Sequence, residues 1–242
     1  MKYLFQKRFI STVLVFVLIA CQGISQRLSG FQLLENSIAY HDPHSKWKNF
    51  NGVLKINQLD TSNNFLGTRI VNIDRKKDHF KMIQTRGEEQ IVRQINNGVC
   101  YHEYNGDNKI SNEIIKKYQL SCERADMYRN YFSYLYGLPM KLKDSGTIIS
   151  SKVKETSFLG SPCYELKVNY DENTGSDTWY FYFDRNSYSL IGYRFYHDEV
   201  ENDGEYIRLE GETVIEGIKI PRDRYWYTNK EEKFLGADLL RN

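Results

Sequence analysis

Residues 177–199, DTWYFYFDRNSYSLIGYRFYHDE, decide how the rest of the chain is read. Trp179, Phe181 and Phe183 fall on one face of an extended chain and Tyr180 and Tyr182 on the other, the two-residue period of a strand. After the polar break Asp184–Ser187 the alternation resumes, with Ile191, Tyr193 and Phe195 opposite Leu190 and Tyr196. Two aromatic strands joined by so short a turn form a hairpin. Large side chains on both faces suit a central position in a sheet, with one face on a core and the other not plainly solvated.

The same pattern extends in both directions. Upstream, FNGVLKINQ, TRIVNID, HFKMIQTR, EQIVRQIN and VCYHEYN follow one another across turn residues such as Arg86-Gly87 and Asn97-Gly98. Downstream come GEYIRLEGETVI, IKIP, RYWYT and KFLGADLL, and just before the hairpin lie IISSKVKETSF and CYELKVNYD. Links of two to four residues join antiparallel strands, because parallel pairs need long crossovers. Three helices interrupt the pattern. Ser29-x-x-Gln32 is a capping box for a helix over about 30–41 that stops before Pro43. Ser111 and Ser121 cap two more, at about 111–118 and 122–136. The expected fold is mainly β (α+β), a large curved antiparallel sheet or half-barrel wrapped over these helices.

Composition limits the function. The chain has 242 residues, 33 basic and 31 acidic. Three of the basic residues, Lys2, Lys7 and Arg8, lie in the first 20, which carry no acid, so the remainder is close to neutral. No basic stripe is left for nucleic acid. MKYLFQKR followed by FISTVLVFVLIA has the layout of a secretory signal, with an apolar run too short to span a bilayer. Leu18-Ile19-Ala20-Cys21 resembles a bacterial lipobox, so residues 1–20 are expected to be removed and Cys21 acylated. The alternative is ordinary cleavage a few residues later. Residues 21–28 then form a short tether, and 29–242 a single β domain without repeats or linkers.

AYHDPHSKWKNFNGVL (39–54), LSCERADMYRNYFSYLYGLPMKLKDSGT (120–147), DTWYFYFD (177–184) and NDGEYI (202–207) resemble the signature stretches of a family of exported bacterial proteins of unknown function. The order of a helix and then Phe50-x-Gly52-x-Leu54 opening a long antiparallel sheet also resembles carriers of the LolA and LolB type. That likeness implies a half-open barrel holding acyl chains beneath helices.

Candidate sites are few. Cys100 and Cys122, in an exported chain, are expected to form a disulfide, worth ~3.4 kcal/mol by chain entropy. Cys163 is left over and shares its strand face with Glu165 and Lys167, as an exposed thiol would. His41-Asp42-Pro43-His44 reads as a solvated helix end, since Pro43 spoils the convergence a metal needs. Asp171–Asp177 reads as a polar hairpin loop, not a calcium site. No G-x-S-x-G, phosphate loop or dinucleotide fingerprint occurs, and no catalytic residue, metal or cofactor is assigned. The aromatic excess has two readings. Tyr128, Tyr131, Phe132, Tyr134 and Leu135 of the third helix, with Trp179, Phe181, Tyr193 and Phe195, either pack a core or line a cavity for a lipid or other apolar ligand. The leading expectation is therefore a lipid-anchored envelope protein that binds such a ligand. A hydrolase using His41, His44 or the acidic loops, and a protein-interaction module, are the alternatives.

Overall fold

The computed structural model describes residues 27–172 and 174–241; the expected leader, Cys21 and most of the tether lie outside the described residues. Helix α1 (Gly30–His41) precedes a first run of strands, β1 (Asn51–Leu59), β2 (Phe65–Asp74), β3 (His79–Arg86), β4 (Glu89–Asn96) and β5 (Val99–Tyr104). Helices α2 (Asn112–Tyr118) and α3 (Cys122–Gly137) follow. The second run is β6 (Thr147–Phe158), β7 (Ser161–Tyr170), β8 (Thr178–Asp184), β9 (Leu190–Tyr196), β10 (Glu205–Ile215), β11 (Ile218–Thr228) and β12 (Phe234–Arg241).

The expected architecture is present: twelve antiparallel strands in one curved, open sheet over helices. Their order, β5-β4-β3-β2-β1-β12-β11-β10-β9-β8-β7-β6, is two meanders joined where β12 returns to pair with β1. The turns carry their own reasons. Asn97 and Gly98 both take positive φ (49° and 77°), as a type I′ hairpin turn requires. Asp184 Oδ1 accepts the amides of Asn186 and Ser187 at 3.0 and 2.8 Å, closing the turn of the aromatic hairpin.

The concave face buries one set of alternating residues, among them Leu54, Ile56, Val71, Phe80, Met82, Leu166, Phe181 and Ile207, beneath Leu33 and Leu34 of α1 and Phe132 and Leu135 of α3. Burial on this scale, roughly 1.5–3 kcal/mol per large side chain, is what holds so long a sheet curved over its helices. Both hydrogen bonds of the Ser29–Gln32 capping box form. Gly30 lets the first turn of α1 lie on β6, since a Cβ there would collide with the Ser150 carbonyl.

Two readings of the hairpin change. The register slips between Tyr182 and Phe183, so that Tyr182 faces Gly192 and Phe183 faces Leu190. The extra residue, Ile191, is a β-bulge. Leu190 therefore joins Phe183 and Tyr193 in the main core, while Ile191 packs outward. The second aromatic face also has an occupant. Phe158 folds over it, stacked on Tyr182 at 4.2 Å, and forms a small outer cluster with Cys163 and Tyr206. Beyond it, Arg194 and Arg208 lie over the rings of Tyr206 and Tyr225 at 5.3 and 4.8 Å. Tyrosine is tolerated there because its neighbours are guanidinium faces and rings.

IKIP and RYWYT are one strand. Pro221 sits inside β11 at a point where β12 has not yet begun to pair, so its missing N–H breaks no ladder bond.

Candidate functional site

Antiparallel register brings the starts of β2, β8, β10 and β12 and the ends of β1, β7, β9 and β11 to one rim of the half-barrel. Two clefts open there.

The first, about 430 Å³, is bounded by Asn130, Ser133 and Tyr134 of α3, Lys141, Tyr170 at the end of β7, Trp179 of β8, and Thr174, Gly175 and Asp177 of the intervening loop. Asn130, Ser133 and Tyr134 stand three and four apart, so one helix face supplies them. Trp179 stacks on Phe195 at 4.8 Å and meets Tyr134 edge-on at 5.7 Å. The hydroxyls of Tyr134 and Tyr170 are hydrogen-bonded at 2.6 Å, and burial pushes Tyr170 up to about 12. At the mouth, Asp177 Oδ1 bonds His197 Nδ1 at 2.7 Å, which raises the imidazole above its ordinary value. The wall combines the packed rings of Tyr134, Tyr170 and Trp179 with polar groups from Asn130, Ser133, Lys141, Thr174 and Asp177.

The second cleft, about 480 Å³, includes Gln58, Asp60, Leu66, Tyr131, Glu205, Trp226, Leu235 and Asp238 in its wall. Gln58, Asp238 and Arg224 stand opposite one another across β1, β12 and β11. Gln58 Nε2 donates to Asp238 Oδ1 at 3.0 Å. Burial holds the Asp238 carboxyl above its ordinary value, against the pull of Arg69, Gln58 and Arg224. Burial likewise raises Glu205, with only His197 opposing it. Asp60 is held low instead, by the amides of Asn64 and Ser62 at 2.9 Å each.

The expected ligand-binding residues divide between wall and support. Trp179 and Tyr131 reach the two clefts. Phe181, Tyr193 and Phe195 pack against Trp179 with ring centroids at 6.0, 6.1 and 4.8 Å. Phe132 meets Tyr131 edge-on at 5.1 Å, and Tyr128 stacks on Phe132 at 6.3 Å. Phe132, Phe181, Tyr193 and Leu135 are buried in the core. Tyr170, Trp226, Gln58, Glu205 and Asp238 were not singled out by sequence reasoning. The alternation of β1, β11 and β12 would have put Gln58, Trp226 and Asp238 on the concave face, but only the strand order brings them together.

Cys100 and Cys122 are bonded, with Cα atoms 5.6 Å apart. Cys163, expected to be exposed, is fully buried under Phe158 and Tyr182, and burial pushes its thiol up to about 11. A thiol in that setting is a poor nucleophile. Thiol counting on denatured, unreduced protein lacking Cys21 should therefore find one reactive group. In native buffer it should find none. Three in the denatured sample would contradict the bridge.

The reading of His41 as a solvated helix end is also corrected. Its side chain is fully buried, Nδ1 lies 2.7 Å from the Lys219 carbonyl, and Nε2 accepts the Leu190 amide at 2.9 Å. The Nδ1–H tautomer satisfies both. Asp42 is buried with it, accepting the amides of Lys46 and Trp47 at 2.7 and 2.8 Å. Two backbone contacts leave His41 no nitrogen for a substrate.

A family model described as a family of unknown function (DUF6503) matches residues 6–241. No curated protein matches the chain. Among solved structures, a LolA superfamily protein from Nitrosomonas europaea is similar at 10% identity, covering 88% of this chain and 92% of that one, with a TM-score of 0.47. A DUF1329 family protein from Desulfovibrio piger is similar at 8% identity, covering 88% and 91%, also with a TM-score of 0.47.

Proposed function

The chain belongs to DUF6503, a family of unknown function, and we propose that it is an exported envelope protein, anchored by an acylated Cys21, that binds an apolar or amphipathic ligand such as a lipid or acyl chain at the rim of its half-barrel. One observation carries this reading: the aromatic-walled cleft of about 430 Å³ formed by Tyr134, Tyr170 and Trp179 beside α3. Its size and its combination of aromatic and polar lining groups suit a small amphiphile. Tyr128, Phe132, Leu135, Phe181, Tyr193 and Phe195 act in it as the packed support that fixes the wall. Among the described residues no helix is long and apolar enough to cross a membrane; the Leu18-Ile19-Ala20-Cys21 stretch supports attachment through a lipid on Cys21. More than one acyl chain is needed there, because a single chain anchors only marginally.

A fluorescent fatty acid tests the reading, with the three tryptophans as donors. Trp47 is buried in the core, and Trp179 and Trp226 stand in different clefts. Binding at micromolar or tighter affinity is expected, with energy transfer reduced more by Trp179→Phe than by Trp226→Phe. Trp179→Ala should weaken binding about tenfold, since losing one aromatic wall costs on the order of 1.4 kcal/mol. Positions such as Phe181 and Phe132, at 0% exposure, cannot separate binding from folding. Absence of binding by any acyl ligand would retire the reading and favour a protein-interaction module. The hydrolase alternative has lost His41, one of the groups it named, to two backbone contacts.

A further inference from the structure

We propose that the second cleft is a binding site for an organic ammonium, a protonated amine carried on an apolar body. The inference does not depend on what occupies the first cleft.

Charge comes first. Asp60, Glu205 and Asp238 all reach this wall, and among the described residues no Lys, Arg or His does. Glu205 has no ion pair among the described residues; His197 acts on it only through space. Asp238 is 3% exposed, and among the described residues its one hydrogen-bonded side chain is Gln58. Two guanidinium groups, Arg69 and Arg224, act on it through space, but among the described residues neither forms an ion pair with it and neither lines the cleft. Arg224 donates to the carbonyls of Pro221 and Leu135, and Arg69 lies over the rings of Tyr128 and Phe132. A carboxylate-lined apolar cleft without an internal cation favours a cationic guest.

The second observation is independent of charge. Gln58 is 8% exposed, and its Nε2 is spent on Asp238, yet its Oε1 has no hydrogen-bond partner. A buried acceptor left unpaired is costly and calls for a donor. An ammonium brings N–H donors and positive charge together. An anion would meet three carboxyls and an orphaned acceptor, and a neutral hydrocarbon would satisfy neither. Trp226 and Tyr131 complete the match, because indole and phenol rings attract a cation to their faces. The volume of about 480 Å³ leaves room for an alkyl body beside the head.

Calorimetry on the full chain, with ligands below their micellar concentrations, tests the proposal. Dodecylammonium, dodecanoate and dodecanol share one chain and differ in the head. Dodecylammonium is expected to bind at least about tenfold more tightly than dodecanoate. Glu205→Gln and Asp238→Asn should each weaken dodecylammonium about tenfold and leave dodecanol unchanged. Glu205 stands at the mouth and is only partly buried, so its variant keeps the test valid if Asp238→Asn fails to fold. Retention of most of the affinity by butylammonium would point to a free small amine. Binding only with the long chain would point to a lipid-borne amine. Both support the proposal. Equal or tighter binding of dodecanoate, or Glu205→Gln without effect on dodecylammonium, overturns it. If dodecanol and dodecanoate still bind and depend on Trp179, the acyl reading survives that failure. If nothing binds, both fall.

Discussion

Replacing Arg224 by Met should lower stability by about 3 kcal/mol and bring the melting midpoint down by roughly 6–12 °C. Arg224 is 1% exposed, with its guanidinium 3.9 Å from the ring centroid of Tyr136. It donates to the Leu135 carbonyl at 3.0 Å and the Pro221 carbonyl at 2.8 Å. Leu135 lies in the last turn of α3, where carbonyls have no partner within the helix. The side chain thus ties the helix end to β11. Methionine fills part of the same space and removes a buried charge, which offsets part of the loss. The balance still favours Arg224, because two buried carbonyls are left without donors. Lysine should recover little, since one ammonium cannot reproduce a fork that reaches two carbonyls. Denaturant titration with an unchanged slope and a lower midpoint is the expected result. A variant as stable as the parent would contradict the tie.

His41→Ala is expected to cost about 2–4 kcal/mol near pH 8, and the cost should shrink as the pH falls. The imidazole bridges the Leu190 amide and the Lys219 carbonyl, residues 149 and 178 positions away in sequence. Burial lowers its pKa; the Lys219 carbonyl and Glu212 oppose this, and Lys219 and Arg224 add to it. The unfolded chain therefore takes up a proton before the folded one. The bridge's contribution is complete above the ordinary histidine value of about 6.5 and is lost as the pH falls through the lowered folded value. Asp238 and Glu205, whose values are raised, titrate in parent and variant alike and cancel in the difference. Unfolding midpoints of the two proteins at several pH values from 8 to 5 measure the gap. A gap that stays constant would mean that His41 does not titrate on unfolding.

These residues also mark where sequence reading stopped. Alternation made the concave face legible, from Leu54 and Ile56 in β1 to Phe181 in β8. The capping box at Ser29 and the turn at Asn97-Gly98 were legible because each is a local hydrogen-bond or backbone requirement. The bulge at Ile191 was not, since one extra residue inverts the faces after it without changing composition. His41 and Cys163 looked like surface groups because what buries them arrives from distant strands, or, for Cys163, from Phe158 folding over the outer face. The clefts were half legible. Aromatics named a cavity as one possibility, but Trp226, Glu205 and Asp238 meet Gln58 only once β12 pairs with β1, and Tyr170 meets Tyr134 only once α3 lies beside the end of β7.

Native mass spectrometry of the full chain, extracted from bacterial envelopes in mild detergent, tests the central claim most directly. The account predicts a protein beginning at an acylated Cys21 with about one bound amphiphile, released on denaturation and present at lower occupancy in Trp179→Ala. An unmodified N-terminus beyond residue 22, together with a ligand-free mass for the parent protein, would contradict it.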